Sequence, residues 1–453
     1  MTTKNSMQDL TVGAVGKTLI VFSVPFVLST LLQTLYSTVD TIVVGQVVGS
    51  AGLSAVSVGS QIMNLMNMIV IGFATAGQIL LAQAKGAGKE GEIQRIVGTL
   101  VIMMAAISVL LGLICLSASS LLLRLMQAPP EAFAAARAYV MICGAGMIFT
   151  GFYNMFSAIL RGLGDSRHPL VFVAIASLIN LVMDLILIAG LRMGAVGAAI
   201  GTVIGQAASV LFSVLYLNRH RREMGFSLSP SVLRYDARSA GMMVRLGLPM
   251  ALQSGAVQIS FLFVGSMVNS YGLVASAALG VSQKLREVPH VVTNAIGMGA
   301  ASMIGQNLGA RKPDRVKETV WVGIRLCLCV NAVFFVCFLL APRACFGVFT
   351  QDADVLGYAA ICALTLALEL PGKALMPTCN ALVNAQGFVA FKMTLALVDA
   401  FVGRVLCSYL LGSVMGLGVV GFFFGYTLAT YLTAIPVFLY FLWGKWERRE
   451  LLA

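Results

Sequence analysis

Twelve mainly apolar stretches, divided by glycine, proline and charge, begin near residues 18, 53, 93, 132, 169, 194, 243, 274, 319, 355, 390 and 417. A bilayer core takes about 20 residues of helix, and it offers no water to unpaired backbone groups, so stretches of this kind are read as membrane-crossing helices. A soluble chain of 453 residues would divide into about three domains. It would also carry charge on about a quarter of its residues; here 11% are charged and 59% hydrophobic. The polar start, Met1 to Lys17, leads into an apolar run from Thr18 to Val48 that is too long for a cleavable signal and lacks a plausible cleavage site. That run is the first expected span.

Net charge is +12, which in a soluble protein would raise the question of nucleic acid. Its placement answers that question. With both termini in the cytoplasm, the inner loops and tails hold 21 lysines and arginines, while the outer loops hold four: Arg124, Arg137, Arg192 and Arg343. This imbalance is the positive-inside signature of a multi-pass membrane protein, with the charge spread over many loops and no nucleic-acid module. The nine cysteines show neither C-x-x-C nor Cys/His ligand spacing, so structural disulfides and zinc are not expected.

Sliding the chain along itself gives a repeat at an offset of 222 to 224 residues. Pro25 falls on Pro249, Ser60-Gln61 on Ser282-Gln283, Gln83 on Gln306, Lys89 on Lys312, and Gly201 on Gly425. Six spans per half is an even number, so both halves enter the membrane in the same direction and are related by a pseudo-twofold axis along its normal. The expected fold is an all-α membrane protein of twelve helices in two six-helix lobes, 1–230 and 231–453, joined by the basic stretch from Arg219 to Arg245. Internal repeats of this kind belong to transporters that rock one lobe against the other around a central cavity. The paired glycines permit close helix packing, and the paired prolines free a backbone carbonyl, as hinges or as plain kinks.

Ionisable residues inside a membrane are costly and so are functional candidates. Asp40 lies about 12 Å from the outer end of span 1, and Asp184 about 9 Å from the end of span 5, at 1.5 Å per residue. Asn180 is one turn deeper on the face of Asp184, and Thr202 reaches similar depth in span 6. Two carboxylates, an amide oxygen and a hydroxyl are hard donors suited to a small cation, and two adjacent acids repel in low dielectric unless one is neutralised. These four residues form the candidate site for a coupling proton or sodium ion. In the second half, Asp40 falls on Val264 and Asp184 on Cys407 or Ser408, so only the first lobe carries the acidic pair.

Gln33, Tyr36, Ser37 and Asp40 share one face of span 1. Span 2 adds Gln61, Asn64 and Asn67 among methionines, a mixture suited to a cavity for varied amphiphiles. In the second lobe, Glu287 and Glu369 are candidates for a cationic substrate, although Lys284, Arg286, His290, Lys373, Asp399 and Arg404 are close enough in sequence to form a neutralising network with them. Lys85-Gly-Ala-Gly-Lys89 lacks the full spacing and the preceding strand of a phosphate loop, and no catalytic constellation occurs. Neither an enzyme nor a bound cofactor is expected.

The first helix from Pro25 to Asp40, the Gln83-Ala-Lys-Gly-Ala87 and Gln306-Asn-Leu-Gly-Ala310 loops, Leu160-Arg-Gly-Leu-Gly-Asp165 and Asn180-x-x-x-Asp184 together resemble the multidrug and toxic compound extrusion (MATE) family of cation-coupled antiporters. The resemblance covers nearly the whole chain. It implies efflux of cationic or amphiphilic small molecules in exchange for protons or sodium, from a multi-pass protein of the bacterial inner membrane that works as a monomer. It also implies an ion site in the first lobe, at Asp40, Asn180, Asp184 and Thr202. Some members carry a coupling acid in span 7, whereas no Asp or Glu occurs here between Arg245 and Lys284. The alternative is a lipid-linked oligosaccharide flippase of the same broad superfamily, whose pyrophosphate would want basic residues such as Arg286, Lys373 and Arg404.

Overall fold

The computed structural model describes residues 7–229 and 231–448. Among them, ten helices are long and apolar enough to cross a membrane: Val15–Gly49, Ala51–Gly86, Glu90–Leu125, Arg167–Gly190, Gly194–Arg219, Ala237–Asn269, Pro313–Leu340, Ala359–Ala385, Val389–Val414 and Val419–Trp443. They are spans 1, 2, 3, 5, 6, 7, 9, 10, 11 and 12. Span 4 is a pair of helices, Pro130–Ala145 and Met147–Leu163, bent by 51°. Span 8 is the 37-residue helix Leu273–Gly309, whose middle carries Lys284, Arg286 and Glu287 and is therefore less apolar than the rest. Every span begins within six residues of its expected start.

Apolar side chains point outward in a way water would penalise. Leu110, Leu113, Leu211, Leu252 and Val333 are all more than half exposed, as expected where the surrounding solvent is hydrocarbon and exposure of leucine costs nothing.

The repeat is visible in the turns. Spans 1 and 2 run together with a break at Gly49, where φ is 78°. Between spans 2 and 3, Ala87 N–H donates to Gln83 O (2.9 Å) and Lys89 N–H to Ala84 O (3.0 Å). Between spans 8 and 9, Ala310 donates to Gln306 O (2.9 Å) and Lys312 to Asn307 O (2.9 Å). The left-handed residue of the first turn is Gly88, and its counterpart is Arg311 with φ 54°. The lysine-glycine loop is thus a helix-ending turn used twice, which accounts for its composition without a nucleotide. Leu160-Arg-Gly-Leu-Gly-Asp165 is also a turn: the buried Asp165 Oδ1 accepts from the N–H groups of Arg167 and His168 (3.1 Å each) and so caps span 5.

The chain condenses into two compact units. One contains Leu28–Ala251 with residues 7–9, and the other contains Leu10–Val27 and the chain from Leu252 onward. Residue 230, the boundary expected from sequence, lies outside the described residues. The units exchange chain just beyond Pro25 and Pro249, the proline inside the first helix of each repeat. Short straps preceding those helices explain the exchange. Leu10 donates to Gln306 Oε1 (3.1 Å) and accepts from Asn307 Nδ2 (3.1 Å), which ties this segment to the second unit. In the first unit, Ser227 pairs with the Gln94 amide in both directions (2.7 and 3.1 Å), and Asp236 N–H donates to Thr99 Oγ1 (2.9 Å).

Within the second unit, span 10 is central and packs on spans 8, 9 and 12. Within the first, span 5 packs along span 6, and both helices of span 4 pack against spans 3 and 6.

Candidate functional site

Span 6 is rich in glycine and alanine from Gly194 onward, and that composition lets span 5 approach it closely. At Gly205, an added Cβ would lie 2.8 Å from Ala176 O, and at Gly201 it would lie 2.5 Å from Asp184 Oδ1. Gly201 is therefore the floor on which the Asp184 carboxyl rests. Asn180 lies one turn away, with its amide oriented to satisfy both ends: Nδ2 donates to Asp184 Oδ2 (3.3 Å), and Oδ1 accepts from the Thr202 backbone N–H (3.0 Å). Thr202 joins the group through its main chain, where the sequence had suggested the hydroxyl. Asp184 and Asn180 are 1% and 5% exposed.

Asp40 of span 1 brings its carboxyl beside that of Asp184. Yet Oδ1 of each acid is buried with no hydrogen-bond partner. Two carboxyls meeting this way have room for a shared proton or a small cation between acceptor oxygens, because buried acceptors without donors are costly. Immediately after Asp184 the helix loosens into a π-turn, Leu185–Gly190, a distortion that recurs at functional positions in helices.

Around the pair lie residues the sequence had not singled out. The Tyr139 hydroxyl is hydrogen-bonded to Ser60 Oγ (3.2 Å) and lies within electrostatic reach of Asp40, as does Cys143. Tyr36, already a candidate from its place on the face of Asp40, lies near both acids. Span 4 supplies partners for two of the cavity candidates, Gln33 Nε2 donating to Tyr153 OH (3.2 Å) and Asn154 Nδ2 donating to Asn67 Oδ1 (3.1 Å), and its Thr150 Oγ1 also donates to Gln206 Oε1 of span 6. Span 4 carries no charge between Arg137 and Arg161, so charge alone could not reveal it. Ser37, Gln61 and Asn64 are exposed.

The second unit has a different polarity. Ser408 stands where the repeat places Asp184, with Gly425 beneath it as Gly201 lies beneath the acid. The buried Glu369 accepts from Arg286 Nε (2.9 Å), Lys373 Nζ (3.4 Å) and Thr430 Oγ1 (3.1 Å). Arg286 also stacks over the Tyr426 ring at 4.7 Å. Asp399 and Arg404 pair at 2.9 Å inside the π-helical segment Val398–Leu406, where residues five apart come into register, and Arg404 covers Phe261 at 4.3 Å. Glu287 is 70% exposed and 3.9 Å from His290.

A family model described as MatE matches residues 25–186 and 249–410, the two repeats. The chain is 27% identical over 443 residues to "Probable multidrug resistance protein YpnP" of Bacillus subtilis (strain 168), with 98% of each chain covered. It is 26% identical over 353 residues to "Multidrug export protein MepA" of Staphylococcus saprophyticus, covering 77% of this chain and 76% of that one. Among solved structures, an outward-facing multidrug resistance MATE family transporter of the MOP superfamily superposes with a TM-score of 0.88 at 22% identity, covering 98% of both chains.

Proposed function

The chain belongs to the MatE family, and on that footing we propose that it is a secondary antiporter that exports cationic or amphiphilic small molecules in exchange for protons or sodium. It acts as a monomeric transporter and not as an enzyme, in the bacterial plasma membrane with both termini on the cytoplasmic side. The observation that carries this reading is the contact between Asp40 and Asp184, each with a buried carboxyl oxygen that has no partner.

When both acids are ionised, two unit charges about 4 Å apart repel by about 4 kcal/mol at an effective dielectric of 20. One proton or one sodium ion removes that repulsion. Loading therefore favours the arrangement in which span 1 lies against span 5, and emptying favours their separation. An ion shifts a conformational equilibrium only by its difference in affinity for the two states, and this pair supplies such a difference. Asn180 holds Asp184 in place. Gln33 with Tyr153 and Asn67 with Asn154 line the same unit with neutral polar groups suited to an amphiphile.

The test is reconstitution in liposomes, with efflux of a fluorescent lipophilic cation followed under an imposed proton gradient and then under a sodium gradient. Transport under one gradient names the ion, and Asp40→Asn abolishes it while leaving the purified protein monodisperse. Equal gradient-driven efflux by the parent and Asp40→Asn would remove the basis of the proposal.

A further inference from the structure

The second unit encloses a cavity of about 150 Å³, lined by Arg286, Glu369 and Lys373 on its polar side and by Phe338, Leu366 and Leu370 on its apolar side. Glu369 is the carboxylate of this lining, and its charge is already engaged by two cations at 2.9 and 3.4 Å. One positive charge is left over. The neighbouring Asp399 and Arg404 neutralise each other, and the exposed Glu287 leans toward His290 at 3.9 Å, so neither removes the excess. Arg286 spends its Nε on Glu369, while its Nη1 is buried without an acceptor. A guanidinium edge left in that state is poised for an oxyanion, whose paired oxygens match its donors. A cationic guest would instead have to displace two ammonium and guanidinium groups from Glu369.

We propose that this cavity binds the oxyanion of an amphiphile, a carboxylate or a phosphate monoester on an apolar body, between Arg286 and Lys373. The apolar wall receives the body, since a cavity of this volume accommodates about one benzene ring. Asn331, whose Nδ2 is held by Leu370 O (2.8 Å), presents its buried Oδ1 without a donor and so accepts from a hydroxyl or N–H on the same guest. The site lies entirely within the second unit. It is independent of the antiport reading, because its occupancy is measured without any ion gradient.

The experiment is equilibrium dialysis of the full-length protein in phosphatidylcholine nanodiscs, corrected with empty discs, against benzoate, phenyl phosphate and benzylammonium. These probes share one apolar body and differ in head charge. The expected result is saturable binding of both anions at least tenfold tighter than that of the ammonium. Lys373→Gln, which removes the surplus charge and keeps the Arg286–Glu369 pair, weakens the anions at least tenfold. Glu369→Gln adds to the surplus and tightens them, a sign that a purely structural network would not give. Tighter binding of the ammonium, or anion affinity unchanged in Lys373→Gln, would overturn the proposal, as would weakening of the anions by Glu369→Gln in monodisperse protein. Repeating the titration in discs containing phosphatidic acid, a lipid whose headgroup is itself a phosphate monoester, identifies the source. Competition assigns the site to a lipid headgroup and its absence to a soluble anion, and both outcomes support an oxyanion site.

Discussion

Replacing Gly201 by alanine tests the close approach on which the acidic pair depends. The new Cβ would stand 2.5 Å from Asp184 Oδ1, where ordinary contact begins at 3.4 Å, so about 0.9 Å must be found. The nearby Met183 Cβ and the Asn180 side-chain amide, both at 3.4 Å, already touch the same point and leave no free direction. Overpacking of this kind costs about 1–3 kcal/mol, while exchange of glycine for alanine inside a helix returns about 1 kcal/mol. The net loss of stability is therefore about 0–2 kcal/mol, but the whole strain falls on Asp184. If 1–3 kcal/mol is charged to ion binding, occupancy weakens by about 5- to 150-fold. The assay pairs thermal unfolding of purified protein with gradient-driven efflux in liposomes. Gly201→Ala is expected to lower the ion dependence of efflux far more than the unfolding temperature. In an Asp184→Ala background the clash is gone, so the same substitution raises the unfolding temperature, and the cycle closes with a coupling of about 1–3 kcal/mol. A single Gly201→Ala variant that is more stable than the parent and fully coupled would refute the reasoning.

Two further substitutions probe charged groups outside the acidic pair. Asp399→Asn leaves Arg404 buried at 6% exposure without its counter-charge and is expected to cost about 3–5 kcal/mol, read as a fall in unfolding temperature; Asp399→Leu with Arg404→Met recovers most of it. Asp236 caps span 7, accepting from Ser239 N–H (2.8 Å) and Oγ (2.6 Å), and these donors hold its carboxyl below the usual carboxylate range. A depressed carboxyl stabilises above its unfolded pKa and loses that contribution as pH falls through its folded value. Asp236→Ala is therefore expected to cost about 0.5–2 kcal/mol near neutrality, and the difference from the parent shrinks in acid; a difference independent of pH would contradict the capping role.

Asp40 and Asp184 were legible in the sequence because a charge inside an apolar run has no local excuse, and simple depth counting put them at the same level. Tyr153, Asn154 and Ser60 were not, because a neutral polar residue in a span reads the same whether it lines a cavity or bonds an adjacent helix. Gly201 carried a faint signal as half of a repeated pair, but its repeat partner Gly425 supports a serine, so the pairing reported packing and not charge. Glu369 illustrates the opposite case. Read along the chain it is an acid available to a cation; in the folded unit Arg286 comes from another helix and, with Lys373, takes up that charge.

The number and placement of the spans and the duplication were already written along the chain, since each depends on local apolar length and on recurrence in the sequence. The tertiary structure alone decided which acids touch, which cation neutralises Glu369 and where the compact units exchange chain. Those outcomes depend on which helix faces which across a few ångströms, and in a membrane that choice is made by small-residue contacts and side-chain hydrogen bonds between spans far apart in sequence.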